Sequence, residues 1–265
     1  MNIINFDENN PFHIHGVNHL SPSSINEYIN NPTHWILRVS GFTENLGIPA
    51  FWRGTAVDNA IEKSLFDMRL SEKSIVEYAV DIFDQHEYDA MNGKLLYKKE
   101  KAVNERKLLQ QYIKIAVPFF RQLGKPIKSQ GKIKLEFEEI PVPVIGYYDL
   151  YYEGIVRDIK TTSRMPSNLP QSYSRQLSIY GTALDAVPLV DYVYATKTTQ
   201  EVRTVPVDNV EEHMTVVRRA CNSMMKLLSY SDDIKEVASL LVPDLDDWRW
   251  SNREKQAAIE LFNLR

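Results

Sequence analysis

The run from Lys132 to Lys160 constrains this chain more than any other. Apolar residues recur there with a period of two, in KIKLEFEEI, VPVIGYYDLYY and GIVRDIK, the alternation of strands with one face in a core. Glu153-Gly154 separates the last two segments with turn chemistry. A two-residue hairpin loop at that point sets Tyr152 against Ile155, and counting outward sets Asp149 against Asp158. Side chains so opposed lie about 5 Å apart at Cβ, where like charges repel. Lys160, two positions past Asp158, shares its face. A sheet carrying two facing carboxylates in apolar flanks needs something positive between them.

The rest of the chain reads as helices around that sheet. Residues 1–20 look irregular. SPSSINEYI begins a helix, capped by Ser21 with Pro22 in the first turn or by Ser24 in a capping box with Glu27, and Asn31-Pro32 ends it. THWILRVSG is a short second piece. Between Trp52 and Met68, the apolar Val57, Ile61, Leu65 and Met68 fall at helical spacing. Further helices are expected over 72–90, 95–123, 169–184 and 208–230, with one or two short ones after that. LVDYVYATKT and EVRTVPV read as a strand pair turning near Thr199-Gln200. The expected fold is α/β, a mixed sheet flanked by helices with an N-terminal helical layer. It is expected as one domain over 1–265: an irregular 1–20, a helical 21–125, the sheet and crossover helix in 130–207, and C-terminal helices in 208–265.

Composition excludes several classes. At 265 residues and 43% hydrophobic, the chain can build a proper core. No apolar run approaches the roughly 20 residues of a membrane span. MNIINFDENNPFHIHG has neither the basic start nor the apolar centre of a secretory signal. A single cysteine, Cys221, permits neither an intrachain disulfide nor a four-cysteine metal site, which fits a reducing cytoplasm. The net charge of −4 argues mildly against a general nucleic-acid coat protein but leaves room for a local basic groove.

Two more pairs sit beside the aspartates. Asp58 and Glu62 lie four apart in FWRGTAVDNAIEKSL, and Gln176 and Tyr180 four apart in YSRQLSIYGTALD, each pair on one helical face. Read in order, Gly54-Thr-Ala-Val-Asp58, Gly146-Tyr-Tyr-Asp149, Asp158-Ile-Lys160 and Gln176-Leu-Ser-Ile-Tyr180 resemble the four motifs of the RecB-like branch of the PD-(D/E)XK nuclease superfamily. LSPSSINEYINNPTHW is similar to the opening segment of that branch, so the resemblance spans about residues 20–200. No motif is specific alone; their order and their strand or helix settings carry the signal. Two positions depart from the pattern. Asp58 stands where the branch has histidine, which favours hard cations such as Mg²⁺ or Mn²⁺. Asn31-Pro32 stands where iron–sulfur members have cysteine-proline, so no iron–sulfur cluster is expected and packing must hold the termini together, with Trp248 and Trp250 as candidates.

The resemblance implies a metal-dependent DNA nuclease, stand-alone and related to phage-type or CRISPR-adaptation-like exonucleases, acting at DNA ends in recombination, repair or phage DNA processing. The alternatives are an endonuclease and a non-catalytic DNA-binding scaffold that keeps the fold. Asp149 and Asp158, with the carbonyl of Ile159 and with Asp58, would hold the metal, and Lys160 would orient the attacking water and stabilise developing charge. Gln176 and Tyr180 would brace the lysine end of the site or touch a DNA phosphate. Glu62 would hold a second ion or a metal-bound water, although a structural role fits it as well. DNA is the expected partner, with a recombination or replication protein as a further one. The lysines of KLLYKKEKAVNERK and KPIKSQGKIK would line a groove, or simply face solvent. Tyr28 and Trp35 would stack on an unpaired base, or be buried. His13, His15 and His19 match no zinc spacing and are expected on a surface or disordered N-terminus.

Overall fold

The computed structural model describes residues 7–44, 46–196, 198–247 and 249–264. The chain opens with the short α1 (Pro11–Ile14), α2 (Pro22–Asn30) and α3 (Pro32–Val39). Three long helices follow, α4 (Pro49–Phe66), α5 (Glu72–Asn92) and α6 (Lys99–Leu123). Then come β1 (Lys128–Leu135), β2 (Val144–Tyr152), β3 (Ile155–Thr162), α7 (Gln171–Leu184), β4 (Val187–Ala195) and β5 (Gln200–Pro206). The C-terminal part holds α8 (Val210–Leu228), α9 (Ile234–Ala238) and α10 (Asn252–Leu261).

The five strands form one sheet in chain order, β1-β2-β3-β4-β5. All neighbours are antiparallel except β3 and β4, which are parallel. That one parallel pair requires a crossover, and α7 supplies it. The mixed sheet with flanking helices is therefore as expected, and each face carries its own core. On one face α2, α3, α7 and α8 pack residues such as Ile25, Trp35, Leu177, Val190 and Met224. On the other, α4, α5 and α6 pack Val57, Ile61, Phe83, Ile113 and Phe120 against Leu150, Ile159 and Val193. Each such aliphatic side chain contributes about 1.5–3 kcal/mol when removed from water. The spacing of Val57, Ile61 and Leu65 is thus what binds α4 to the sheet, while Met68 lies past the end of the helix and is exposed.

Local chemistry sets the helix ends. The cap of α2 is Ser21: its hydroxyl accepts the Ser24 N–H, and the Ser24 hydroxyl accepts the Ser21 N–H. Asn31 ends α2 and also caps α3 through its side chain, with Pro32 in the first turn.

The N-terminal segment is more ordered than its composition suggests. Phe12 and Leu20 are fully buried, and Leu20 exchanges backbone hydrogen bonds with Pro143 and Ile145 at the start of β2. The expectation of a surface or disordered histidine trio fails for two of its members. His13 is buried, with its Nδ1 accepting the Asp7 N–H at 3.1 Å, and His15 bonds the carbonyls of Leu228 and Ser231. His19 alone is exposed. At the other terminus Trp250 is buried and meets the His34 ring edge-on at 4.4 Å, and His34 Nε2 lies 3.2 Å from Glu254 of α10. Trp250 thus packs the C-terminal segment onto α3, and Trp248 falls outside the described residues. Trp35 is buried and so not open to a base, and the half-buried Tyr28 packs edge-on against it with its hydroxyl on Ser223.

Candidate active site

The β2–β3 hairpin has the expected register, with Tyr152 paired to Ile155, Tyr151 to Val156 and Leu150 to Arg157. The ladder stops there, before Asp149 and Asp158, which would be the next pair outward. The Ile159 N–H donates to Asp149 Oδ2 at 2.6 Å instead of to the neighbouring strand. Asp158 is 2% exposed, and Lys160 Nζ lies 2.5 Å from its Oδ2. From α7 the Gln176 amide donates to Asp158 Oδ1 at 3.3 Å and to the Tyr180 hydroxyl at 3.0 Å. The Gln176–Tyr180 pair therefore meets Asp158, the ion-pair partner of Lys160. Lys160 also sits over the Tyr173 ring at 5.1 Å from its centroid.

The β1 side explains why the strands part at Asp149. Ser129 pairs with Leu150 and Gly131 with Tyr148, but Gln130 and Asp149 between them do not pair. Gln130 has φ of +47°, a left-handed conformation that non-glycine residues rarely adopt. Tyr148 belongs to one core and Leu150 to the other, although residues two apart in a regular strand share a face. The change of face occurs at Asp149, so its carboxylate turns into the space between β2 and β3.

Gly146 has a different reason to be glycine. A Cβ there would lie 2.5 Å from Tyr180 Cε1 and 3.4 Å from both Ile133 and Pro22. Tyr180, 3% exposed, lies directly over that backbone. Gly146→Ala is expected to lower stability by about 1–3 kcal/mol, the usual cost of overpacking. It should also displace the Tyr180–Gln176–Asp158 chain. Thermal unfolding together with the rate of DNA cleavage checks this: a fall in stability with an unchanged rate would mean that Tyr180 does not position Asp158.

Asp58 reaches the cluster from α4, on the opposite face from α7. Its Oδ1 is buried with no hydrogen-bond partner among the described residues. Burial, then the charge of Asp149, raise its pKa well above the carboxylate range, against the pull of Lys160. Burial and the charge of Asp158 likewise push Asp149 up to about 7, although Lys160, the Ile159 N–H and the Gln130 side chain favour its ionised form. Lys160 is held firmly protonated: burial works against its charge, and Asp158 and Asp149 outweigh it. The cluster thus holds more acid than its single ammonium neutralises.

Glu62, one turn beyond Asp58, accepts a hydrogen bond from the Ser129 hydroxyl of β1, which links α4 to the sheet. That contact supports its structural role. Among the described residues no three His, Cys, Asp or Glu side chains stand grouped to hold an ion as they are. Lys160 and the Ile159 N–H each take a carboxylate oxygen that an ion would use. The donor chemistry nevertheless fits a hard divalent cation: Asp58, Asp149 and Asp158 offer only oxygen, and Asp58 Oδ1 has no hydrogen-bond partner among the described residues.

Comparison with known proteins decides the family. Residues 19–260 match the PD-(D/E)XK nuclease superfamily. This chain belongs to that superfamily. No curated protein matches it. The crystal structure of SSO0001 is similar over 72% of this chain and 95% of its own, at 15% identity and a TM-score of 0.31, and at that level says nothing further. Members of the superfamily are generally nucleases that use divalent metals.

Within this superfamily member, two residues near the cluster escaped the sequence motifs. Arg53, 6% exposed, donates to the Thr161 carbonyl at 3.2 Å and hydroxyl at 3.3 Å, and pairs with Glu105 of α6. One guanidinium therefore ties α4 and α6 to the strand that carries Lys160. It adjoins Gly54 in sequence, but an arginine on an amphipathic helix normally reads as a surface residue. Gln130 is the other. Its only signal was the polar Ser129-Gln130-Gly131 inside a strand, the kind of interruption that marks a bulge.

Proposed function

We propose that this chain is a metal-dependent deoxyribonuclease of the RecB-like type, a single-domain cytoplasmic enzyme that acts as an exonuclease on DNA ends in recombination, repair or phage DNA processing. The observation that carries the reading is the cluster of Asp58, Asp149, Asp158 and Lys160 where β2 and β3 separate, with Asp149 pushed up to about 7 by burial and by the charge of Asp158. Asp149, Asp158 and Asp58 would hold Mg²⁺ or Mn²⁺, with the Ile159 carbonyl beside them. Bound there, the ion would lower the pKa of a water and neutralise charge at the phosphate. Lys160 would orient the attacking water through its Nζ and face the charge that develops on the phosphate oxygens. Gln176, anchored on Tyr180, fixes Asp158. Preference for ends over internal sites rests on the resemblance to stand-alone RecB-like exonucleases.

The test is degradation of an end-labelled linear duplex beside a covalently closed circle, with Mg²⁺, with Mn²⁺ and with chelator, and with Asp158→Ala as control. Metal-dependent loss of the linear form alone is the expected result. Cutting of the circle would make the protein an endonuclease. DNA binding without cutting of either substrate would make it a scaffold.

A further inference from the structure

A groove of about 420 Å³ opens between the start of α4 and the start of α6, lined by Leu46, Ile48, Ala50, Leu96, Lys98 and Lys101 among others. Its apolar members are unusually open for side chains of their type: Leu46 is 47% exposed, Ile48 39% and Leu96 64%. Leu46 and Leu96 are joined by a β-bridge, and the Gly47 N–H bonds the Leu96 carbonyl at 3.1 Å, so the floor is built and not a loose loop. Lys98 and Lys101 stand one turn apart on the rim, both exposed, and neither forms an ion pair among the described residues. The one acid in the lining, Glu105, is taken by Arg53.

One face of α4 runs from the groove towards the cluster. Ala50, Gly54 and Asp58 fall at intervals of four along α4, hence on one face, and span about 12 Å. Gly54 is half-exposed and its missing Cβ would face the Thr161 hydroxyl at 3.6 Å, one residue beyond Lys160. Arg53 bonds both Thr161 at the cluster and Glu105 at the groove. Gly54 offers no side chain on that face, and the ring of Phe51, one turn before it, is 69% exposed.

We propose that this groove holds an unpaired DNA strand, its bases against Leu46, Ile48 and Leu96 and its phosphates on Lys98 and Lys101, and passes it along α4 to Asp58. The inference rests on the nuclease reading and adds the form of the substrate. An apolar floor gains nothing from a duplex, whose base faces are stacked away, whereas an unstacked strand offers apolar faces and a charged backbone together. The pair of lysines on an otherwise apolar lining has that alternation.

The test is fluorescence anisotropy with a labelled oligo-dT and a labelled duplex, in chelator so that no cleavage occurs, over a range of salt. Leu96→Ser should weaken oligo-dT binding about fivefold and leave the duplex unaffected, the low end of what one base contact contributes. Lys98→Ala with Lys101→Ala should reduce the salt slope by about 1.4, at about 0.7 for each phosphate contact on a single strand. All three side chains are exposed, so unfolding temperatures should match the wild type. Binding unchanged in both variants overturns the groove and leaves the nuclease reading standing as long as the wild type cuts DNA. Equal losses for single strand and duplex overturn the single-strand assignment. Wild-type self-association that Leu96→Ser abolishes, with DNA binding intact, makes the face an interface between copies and also overturns it. Failure of the wild type to bind or cut any DNA sinks the nuclease reading itself.

Discussion

Lys160→Ala lowers the cleavage rate at saturating DNA at least 10²–10³-fold, as about that much is lost when one preorganised charge is removed from a reacting centre. DNA and metal binding are expected to persist, because the carboxylates proposed to hold the ion remain. A second effect accompanies the first. Asp158 is 2% exposed with the ammonium 2.5 Å from its Oδ2, and removing one partner of a buried pair leaves the other uncompensated, at a cost of about 3–5 kcal/mol. The metal-free variant therefore unfolds at a lower temperature than the wild type, and Mg²⁺ or Mn²⁺ closes much of that gap by supplying the missing positive charge. Single-turnover cleavage, anisotropy in chelator and thermal unfolding with and without the cation test these points. Loss of DNA binding in the variant would make Lys160 a substrate anchor, and a gap that no cation narrows would separate Lys160 from the metal site.

The second large effect is on pH dependence. Asp149 is held at about 7, above the ordinary carboxylate value of 3.8. Between those values the folded metal-free protein keeps a proton that the unfolded chain releases. Its stability therefore falls as pH rises from about 4 to about 7, with a ceiling of about 4 kcal/mol at about 1.4 kcal/mol per unit. Asp149→Asn keeps an oxygen to accept the Ile159 N–H and removes the titration. It raises the unfolding temperature at pH 8, has little effect at pH 4, and abolishes cleavage at both. A divalent cation reverses the order at pH 8, because only the wild type has the carboxylate to bind it. Cation binding must displace the same proton, so metal affinity rises with pH through about 7. Unfolding curves at the two pH values, with and without Mg²⁺, measure both signs. An Asp149→Asn protein less stable than the wild type at pH 8 without metal would mean that the carboxylate is already compensated.

How much of this was legible beforehand depended on the range of the interaction. Period-two alternation and a two-residue turn are local, and from them came the hairpin, its register and the opposition of Asp149 to Asp158. Helical spacing is local too, and it placed Asp58 with Glu62 and Gln176 with Tyr180 on shared faces. The histidines near the N-terminus misled because burial is not a local property. His13 and His15 are polar in sequence, but the segment docks against the start of β2 and the end of α8, where the His15 ring meets the carbonyls of Leu228 and Ser231, while the His13 ring accepts the Asp7 N–H within the segment.

The sequence by itself determined the α/β class and the hairpin that brings Asp149 towards Asp158, since each follows from patterns within about ten residues, whereas Asp58 joined them only through the resemblance of its motif. Tertiary structure alone decided how those groups meet. Gln130 in a left-handed conformation turns β2 at Asp149, α7 fixes Asp158 through Gln176, and Arg53 joins α4 and α6 to the strand of Lys160. These are contacts between residues 18 to 108 positions apart. Their cause is the packing of two helical layers onto one sheet; periodicity shows which face of each element packs, but not which polar side chains meet across the packed faces.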